Sequence, residues 1–243
     1  MNNYKIIKKY LHKSFYSTLI KAINKKGQLC MIKKIPIYCD KSEIIMLKKI
    51  KHPNIVKYYD SFVDEKYYYL VQEYISGYTI EEYINNKKTI NDEEIKNILI
   101  ELIRAIKCLN YQNIYHLDIR PCNVMYDQNK KITLIDFGCA IEKIKKTDKI
   151  EKDYFGIMNH LPPEYITSKM KNIEKVDIWG IGIVLYYIIF KTVPFLYSKD
   201  ILTMDIEYGK CNSIFLDLLK NILVKDETKR YTLKQIEFFL EEL

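Results

Sequence analysis

The chain has 243 residues, 48% hydrophobic and 29% charged, so it can bury a large core and is too apolar to be a disordered segment. Lys and Arg outnumber Asp and Glu by 39 to 31, a net charge of +8. The lysines are dispersed among Ile, Asn and Tyr rather than clustered, which reads as a solvated surface and predicts no nucleic-acid partner. The six cysteines form no CxxC pair and no histidine stands at metal-ligand spacing, as expected of reduced thiols in an intracellular protein, cytoplasmic or nuclear. The start, Met1-Asn2-Asn3-Tyr4-Lys5, has neither a signal-type apolar run nor a glycine for myristoylation. The longest apolar run, Ile178 to Phe190, is shorter than the ~20 residues that span a bilayer. It predicts a buried helix and no membrane partner.

In chain order, Tyr4-Lys5-Ile6-Ile7 and Leu29-Cys30-Met31-Ile32 are β-prone, with a hairpin turn at Lys25-Lys26-Gly27. Ile45, Met46, Leu47 and Ile50 recur with helical period over Ser42 to Lys51, and Pro53-Asn54 ends that helix. Two strands follow, Ile55 to Phe62 and Tyr67 to Glu73. Beyond Gly77 the chain turns mainly helical. Asn91 with Glu94 makes a capping-box pattern ahead of Ile95, Ile98, Leu99, Leu102 and Ile106. Short strands surround Val124-Met125-Tyr126 and Ile132 to Ile135, and helices fill the rest. Strands first and helices after predict an α+β architecture, a small sheet lobe and a larger helical lobe.

The segment richest in chemistry is His116-Leu117-Asp118-Ile119-Arg120-Pro121-Cys122-Asn123, followed by Asp136-Phe137-Gly138. It resembles the eukaryotic-type protein-kinase pattern H-R-D-L-K-P-E-N and D-F-G. Phosphoryl transfer asks for a carboxylate to accept the substrate hydroxyl proton, with an Asn and a second Asp to hold Mg²⁺ against the phosphates of ATP. The resemblance makes Asp118 the catalytic base, Arg120 its cationic companion, and Asn123 and Asp136 the metal ligands.

The rest of the family pattern appears in order. Cys30-Met31-Ile32-Lys33 is similar to V-A-I-K, so Lys33 would hold the α/β-phosphates and Glu43 would pair with it from the helix the family calls αC. Val71-Gln72-Glu73-Tyr74-Ile75 resembles the hinge, with Gln72 as gatekeeper and the Glu73 carbonyl and Ile75 amide on the adenine edge. Met31 would lie in the roof of the adenine slot and Met125 would form its floor, and the resemblance also makes Leu11 and Leu19 cofactor-binding residues. Pro162-Pro163-Glu164 resembles A-P-E, Asp177-Ile178-Trp179-Gly180 the start of a central helix, and Arg230 the partner of the APE glutamate. Pro194-Phe195 matches a further landmark. His116 and Phe137 would pack with Leu47 and Tyr58 in a hydrophobic spine. The resemblance implies one protein kinase domain over 1–243, with the small antiparallel-sheet lobe and its one helix at about 1–72, the hinge at 73–77 and the helical lobe at about 78–243.

The pattern breaks in five places. His12, Ser14 and Ser17 replace the three glycines of the phosphate loop, which predicts a stiffer loop, less closely applied to ATP. Met31 replaces a small residue in the slot. Gly156-Ile157 replaces Gly-Thr, which predicts the loss of one orienting bond at Asp118. Cys122 replaces a glutamate. Leu117 replaces the arginine that docks an activation-segment phosphate, so Thr147 or Tyr154, if phosphorylated, would lack that group; Asp153 stands at the usual phosphosite, and Tyr154 and Phe155 are expected to pack on the helical lobe. The stretch from Phe195 to Leu218 is also short for a substrate-docking region.

Three readings compete: an active serine/threonine kinase acting on protein hydroxyls, a pseudokinase that binds or scaffolds, and a small-molecule kinase. The first is favoured because Lys33, Glu43, Asp118, Asn123 and Asp136 are all retained. The Glu164 triplet, the central-helix pattern and Arg230 argue against the third, and Pro121 favours serine and threonine over tyrosine.

Overall fold

The computed structural model describes residues 3–13, 17–86, 88–143, 158–211 and 213–243, with the side chains of 9–13 and 158 excluded. Ser14, Thr147, Asp153, Tyr154, Phe155, Gly156 and Ile157 therefore lie outside the described residues, as do the side chains of Leu11 and His12.

The first lobe is an antiparallel sheet of β1 (Tyr4–Lys13), β2 (Thr18–Asn24), β3 (Leu29–Pro36), β4 (Tyr58–Val63) and β5 (Tyr67–Glu73), in the order β1-β2-β3-β5-β4. Helix α1 (Ser42–Lys49) is inserted between β3 and β4. Alternation sorts the sheet's two faces, because successive side chains point to opposite sides. Ile20, Ala22, Cys30, Ile32, Tyr69 and Val71 form one apolar cluster. The opposite face carries Met31 and Lys33, which stand across from Gln72 and Leu70 of β5, and Leu70 joins the main core with Met46 and Leu47 of α1.

The strand expected from Ile55 begins at Tyr58 instead. Ile55 and Val56 leave the sheet: Ile55 bridges to Leu134 and Val56 donates its N–H to the Leu134 carbonyl. Asn54 completes the seam by donating from Nδ2 to the Ile132 carbonyl. The two apolar residues are thus buried where the two lobes meet, a tertiary preference that β-propensity does not register.

The second lobe opens with β6 (Gly77–Thr79), α2 (Ile80–Asn85) and the 20-residue α3 (Asp92–Tyr111). The Asn91 side chain accepts from Glu94 N–H and Glu94 answers on Asn91 N–H, so the capping box is formed. Strands β7 (Ile114–Tyr115), β8 (Val124–Asp127), β9 (Ile132–Leu134) and β10 (Ile141–Glu142) follow. The chain ends through α4 (Pro163–Ile166), α5 (Glu174–Phe190), α6 (Ser198–Thr203), α7 (Leu216–Ile222) and α8 (Leu233–Glu242). The expected buried helix is α5, hydrophobic all round and surrounded by protein. No helix among the described residues is long and apolar enough to cross a membrane. All six cysteines are free thiols. Among the described residues between Phe195 and Leu218, only the six-residue α6 and the start of α7 are helical.

Candidate active site

The loop 116–123 is held from below by α5. Asp177, fully buried, accepts the backbone N–H of His116 at 2.9 Å and of Leu117 at 2.7 Å. Burial pushes its carboxyl above the ordinary range, against the pull of these bonds. Gly180, one helical turn on, lets α5 press against the loop: a Cβ there would sit 2.6 Å from Ile119 Cβ. Leu117 adopts a left-handed φ of 60°, disfavoured for a γ-branched residue and sustained here by the Asp177 bond and by burial with Tyr115, Ile173 and Val176. Its side chain therefore belongs to the core.

His116 does more than the expected packing. Its ring meets Phe137 edge-on, with centroids 4.7 Å apart. Nδ1 accepts the Asp118 N–H at 3.3 Å, and the Nε2–H side donates to the Ile135 carbonyl at 3.1 Å. The imidazole ties the backbone of Asp118 to the strand that leads into Asp136.

Lys33, Glu43 and Asp136 meet where the lobes join. Lys33 Nζ lies 2.8 Å from Glu43 Oε2 and 2.8 Å from Asp136 Oδ1. The Phe137 N–H donates to Glu43 Oε1, so α1, β3 and the Asp-Phe-Gly turn are linked through one carboxylate. Burial alone would lower Lys33, but the charges of Asp136 and Glu43 outweigh it and raise its pKa. The same ammonium holds the Asp136 carboxyl down at about 2, against burial. Burial pushes the Glu43 carboxyl up, against the pull of Lys33, and the neighbouring Asp136 charge adds to the rise. With all three groups ionised the cluster carries a net charge of −1. Asp136 has a φ of 61° and a side chain 46% exposed, so its carboxylate is open to solvent while Lys33 and Glu43 are enclosed.

Among the described residues, Asn123, Arg120 and His160 surround Asp118. Asn123 Nδ2 donates to Asp118 Oδ2 at 2.8 Å and to its backbone carbonyl at 2.9 Å. Arg120 Nε lies 3.3 Å from Oδ1. His160 Nε2 lies 2.8 Å from the same Oδ1, with the imidazole only 4% exposed. Burial would raise the Asp118 carboxyl, but the His160 bond and the Arg120 guanidinium outweigh it and leave the group below the ordinary carboxylate range. It is ionised at neutral pH.

The sequence reading missed His160. A lone histidine two residues before a Pro-Pro pair carries no motif, and only folding brings it to Asp118. The bond expected to be lost at Ile157 lies outside the described residues; His160 is a separate partner of Asp118. Residues on either side of His160 are tied to the helical lobe. Asn159 Nδ2 donates to the Phe195 carbonyl at 3.2 Å, and four residues on Glu164 is locked to Arg230. Arg230 Nη1 and Nη2 grip the two Glu164 oxygens, its other N–H groups reach the Val224 and Lys175 carbonyls, and its guanidinium lies over Trp179.

The remaining expected residues fall on the following elements. Met31 and Met125 are half-buried, in β3 and β8. Leu19 is half-buried and stands opposite Lys33. Glu73 ends β5, and Ile75 lies in the link between β5 and β6, packed against the main core. Leu11 is in β1, beside the irregular pairing between Lys8 and His12. Among the described residues no three His, Cys, Asp or Glu form a metal cage.

A five-stranded sheet with one inserted helix, set on a helical lobe, with Lys33 joining Glu43 to Asp136 at the seam, defines a kinase-type fold. The chain belongs to the protein kinase family, whose protein kinase domain it matches over residues 7–238. It is 30% identical over 187 residues to the serine/threonine-protein kinase cds1 of Schizosaccharomyces pombe, covering 74% of this chain and 40% of that protein. It is 28% identical over 222 residues to the mitosis inducer protein kinase cdr1 of the same yeast, covering 87% and 37%. To an Aurora kinase of Candida glabrata it is 29% identical over 233 residues, covering 88% and 63%. The chain thus spans less than two thirds of the length of each of these relatives.

Proposed function

We propose that this chain is a serine/threonine-protein kinase domain of two lobes, transferring the γ-phosphoryl group of ATP to protein hydroxyl groups. The observation that carries the reading is the assembled cluster of Lys33, Glu43 and Asp136 beside an Asp118 already bonded to Asn123. A scaffold without catalysis has no use for a carboxylate kept ionised in a nearly closed site. ATP would enter between Met31 and Met125, with its adenine against the backbone of Glu73 and Ile75 and under Leu11 and Leu19. Lys33, fixed by Glu43, would meet the α- and β-phosphates, as in the family pattern.

The donors suit Mg²⁺. With its amide nitrogen committed to Asp118, Asn123 presents a carbonyl oxygen, and Asp136 adds an exposed carboxylate beside a cluster of net negative charge. Two oxygen donors without a full protein cage fit a cation that takes its other ligands from water and phosphate. When bound, the ion neutralises charge on the transferring phosphoryl group. Asp118 would orient the incoming serine or threonine hydroxyl and take its proton, and Arg120 would hold that carboxylate in place.

The test is transfer from γ-labelled ATP to a mixture of protein substrates, followed by phosphoamino-acid analysis. Label on serine and threonine is expected. Label confined to tyrosine, or no transfer by protein that binds ATP·Mg²⁺, would replace this reading with a tyrosine kinase or a pseudokinase.

A further inference from the structure

We propose that His160 is a positioning residue for phosphoryl transfer: its Nε2–H fixes the rotamer of Asp118 through Oδ1. The inference rests on the reading of Asp118 as the base. The contact is 2.8 Å long, between side chains 4% and 8% exposed. Such a bond, shielded from water, is strong and directional.

The geometry gives it a purpose. A carboxylate can rotate about its Cβ–Cγ bond, and a general base must present one oxygen at hydrogen-bond distance from the reacting hydroxyl. Asn123 engages Oδ2 and His160 engages Oδ1, so the carboxylate is held at both ends and its plane is set. Arg120 approaches Oδ1 more loosely, at 3.3 Å, from a side chain one third exposed. Of these two described partners of Oδ1, His160 is the closer and the more buried. It stands at the end of the 3-10 turn Met158–His160, between Asn159 bonded to the Phe195 carbonyl and Glu164 clamped by Arg230. This chain has Ile157 where the family pattern has the threonine that bonds to the catalytic aspartate. His160, three residues later in the same segment, supplies an orienting bond of its own.

His160 touches neither nucleotide nor hydroxyl in this scheme, so its removal acts on turnover and leaves nucleotide affinity intact. His160→Ala is expected to lower kcat about 10- to 100-fold, the scale of a displaced catalytic group, with KM for ATP within about twofold of wild type. His160→Gln places an amide N–H near the lost Nε2–H and is expected to keep at least about a third of wild-type kcat. In an Asp118→Asn background, adding His160→Ala is expected to cost less than about threefold, because the two residues act as a unit.

Wild-type kcat in a folded His160→Ala protein overturns the proposal, as does a folded His160→Gln protein as slow as the alanine variant. If His160→Ala fails to fold, the Gln variant decides: a loss of tenfold or more overturns the inference. If neither folds, nitrogen-15 NMR of the histidine rings in the wild-type protein decides. With four histidines in the chain, assignment is tractable. A protected Nε2–H of His160 that shifts in Asp118→Asn supports the bond; its absence refutes it. Asp118→Asn alone separates the two layers. Wild-type transfer in that variant refutes the base assignment, whereas loss of transfer there with an unaffected His160→Ala refutes only the role of His160.

Discussion

Removing Arg230 should destabilise the helical lobe far more than an ordinary surface ion pair would. The guanidinium is fully buried, and five hydrogen bonds leave it, two to Glu164, two to the Val224 carbonyl and one to the Lys175 carbonyl. In Arg230→Met, Glu164 stays buried as an uncompensated charge and two carbonyls lose their donor. Breaking a buried pair from one side costs about 3–5 kcal/mol. A domain of this size is stable by about 5–15 kcal/mol, so the variant should be folded but marginal. At about 2–4 °C per kcal/mol, Tm should fall by about 6–20 °C. The double variant Arg230→Met/Glu164→Met removes both charges and should recover much of the loss, since apolar replacement of a buried pair is often neutral. Urea and thermal unfolding of the three proteins measure this. A single variant as stable as wild type, or a double variant that recovers nothing, would refute the reasoning.

Asp136 makes stability pH-dependent. Its folded pKa, about 2, lies below the ordinary 3.8, so the Lys33 contact stabilises the fold above about pH 4 and is lost as pH falls toward 2. The stability gap between wild type and Asp136→Asn, measured by urea titration, should narrow from pH 5 to pH 3; a constant gap contradicts the shift. Gln72 Oε1 is buried without a hydrogen-bond partner among the described residues, so Gln72→Leu should raise the stability of nucleotide-free protein by about 1–3 kcal/mol. An unchanged or lower Tm would show that the atom is satisfied. Leu117 is locked into an apolar cluster and has no donor for a phosphate, so treatment with a broad phosphatase should leave the transfer rate within about twofold. A large loss, restored by rephosphorylation of Thr147 or Tyr154, would overturn that expectation.

Much of the fold was legible because its local signals agree with its global shape. The Asn91 capping box, the β5 strand from Tyr67 to Glu73 and the apolar run of α5 all appear where the chain placed them. The pairing of Lys33 with Glu43 and of Glu164 with Arg230 could be read from spacing only through the family resemblance, since these partners are 10 and 66 residues apart. Two features were not legible. Ile55 and Val56 have strand propensity but abandon the sheet, because Leu134 offers them backbone partners and burial from the other lobe. His160 reaches Asp118 across 42 positions of sequence, through a contact that no local pattern of charge or hydropathy encodes. His116 shows the intermediate case: its burial was foreseeable, its two backbone hydrogen bonds were not.

The most direct test of the whole account compares wild type with Asp118→Asn in one experiment. ATP·Mg²⁺ binding is followed by calorimetry and γ-phosphoryl transfer by radiolabel. The account predicts nucleotide affinities within about threefold of each other and a transfer rate at least about 100-fold lower in the variant. Equal transfer by the two proteins, at equal nucleotide occupancy, would contradict it.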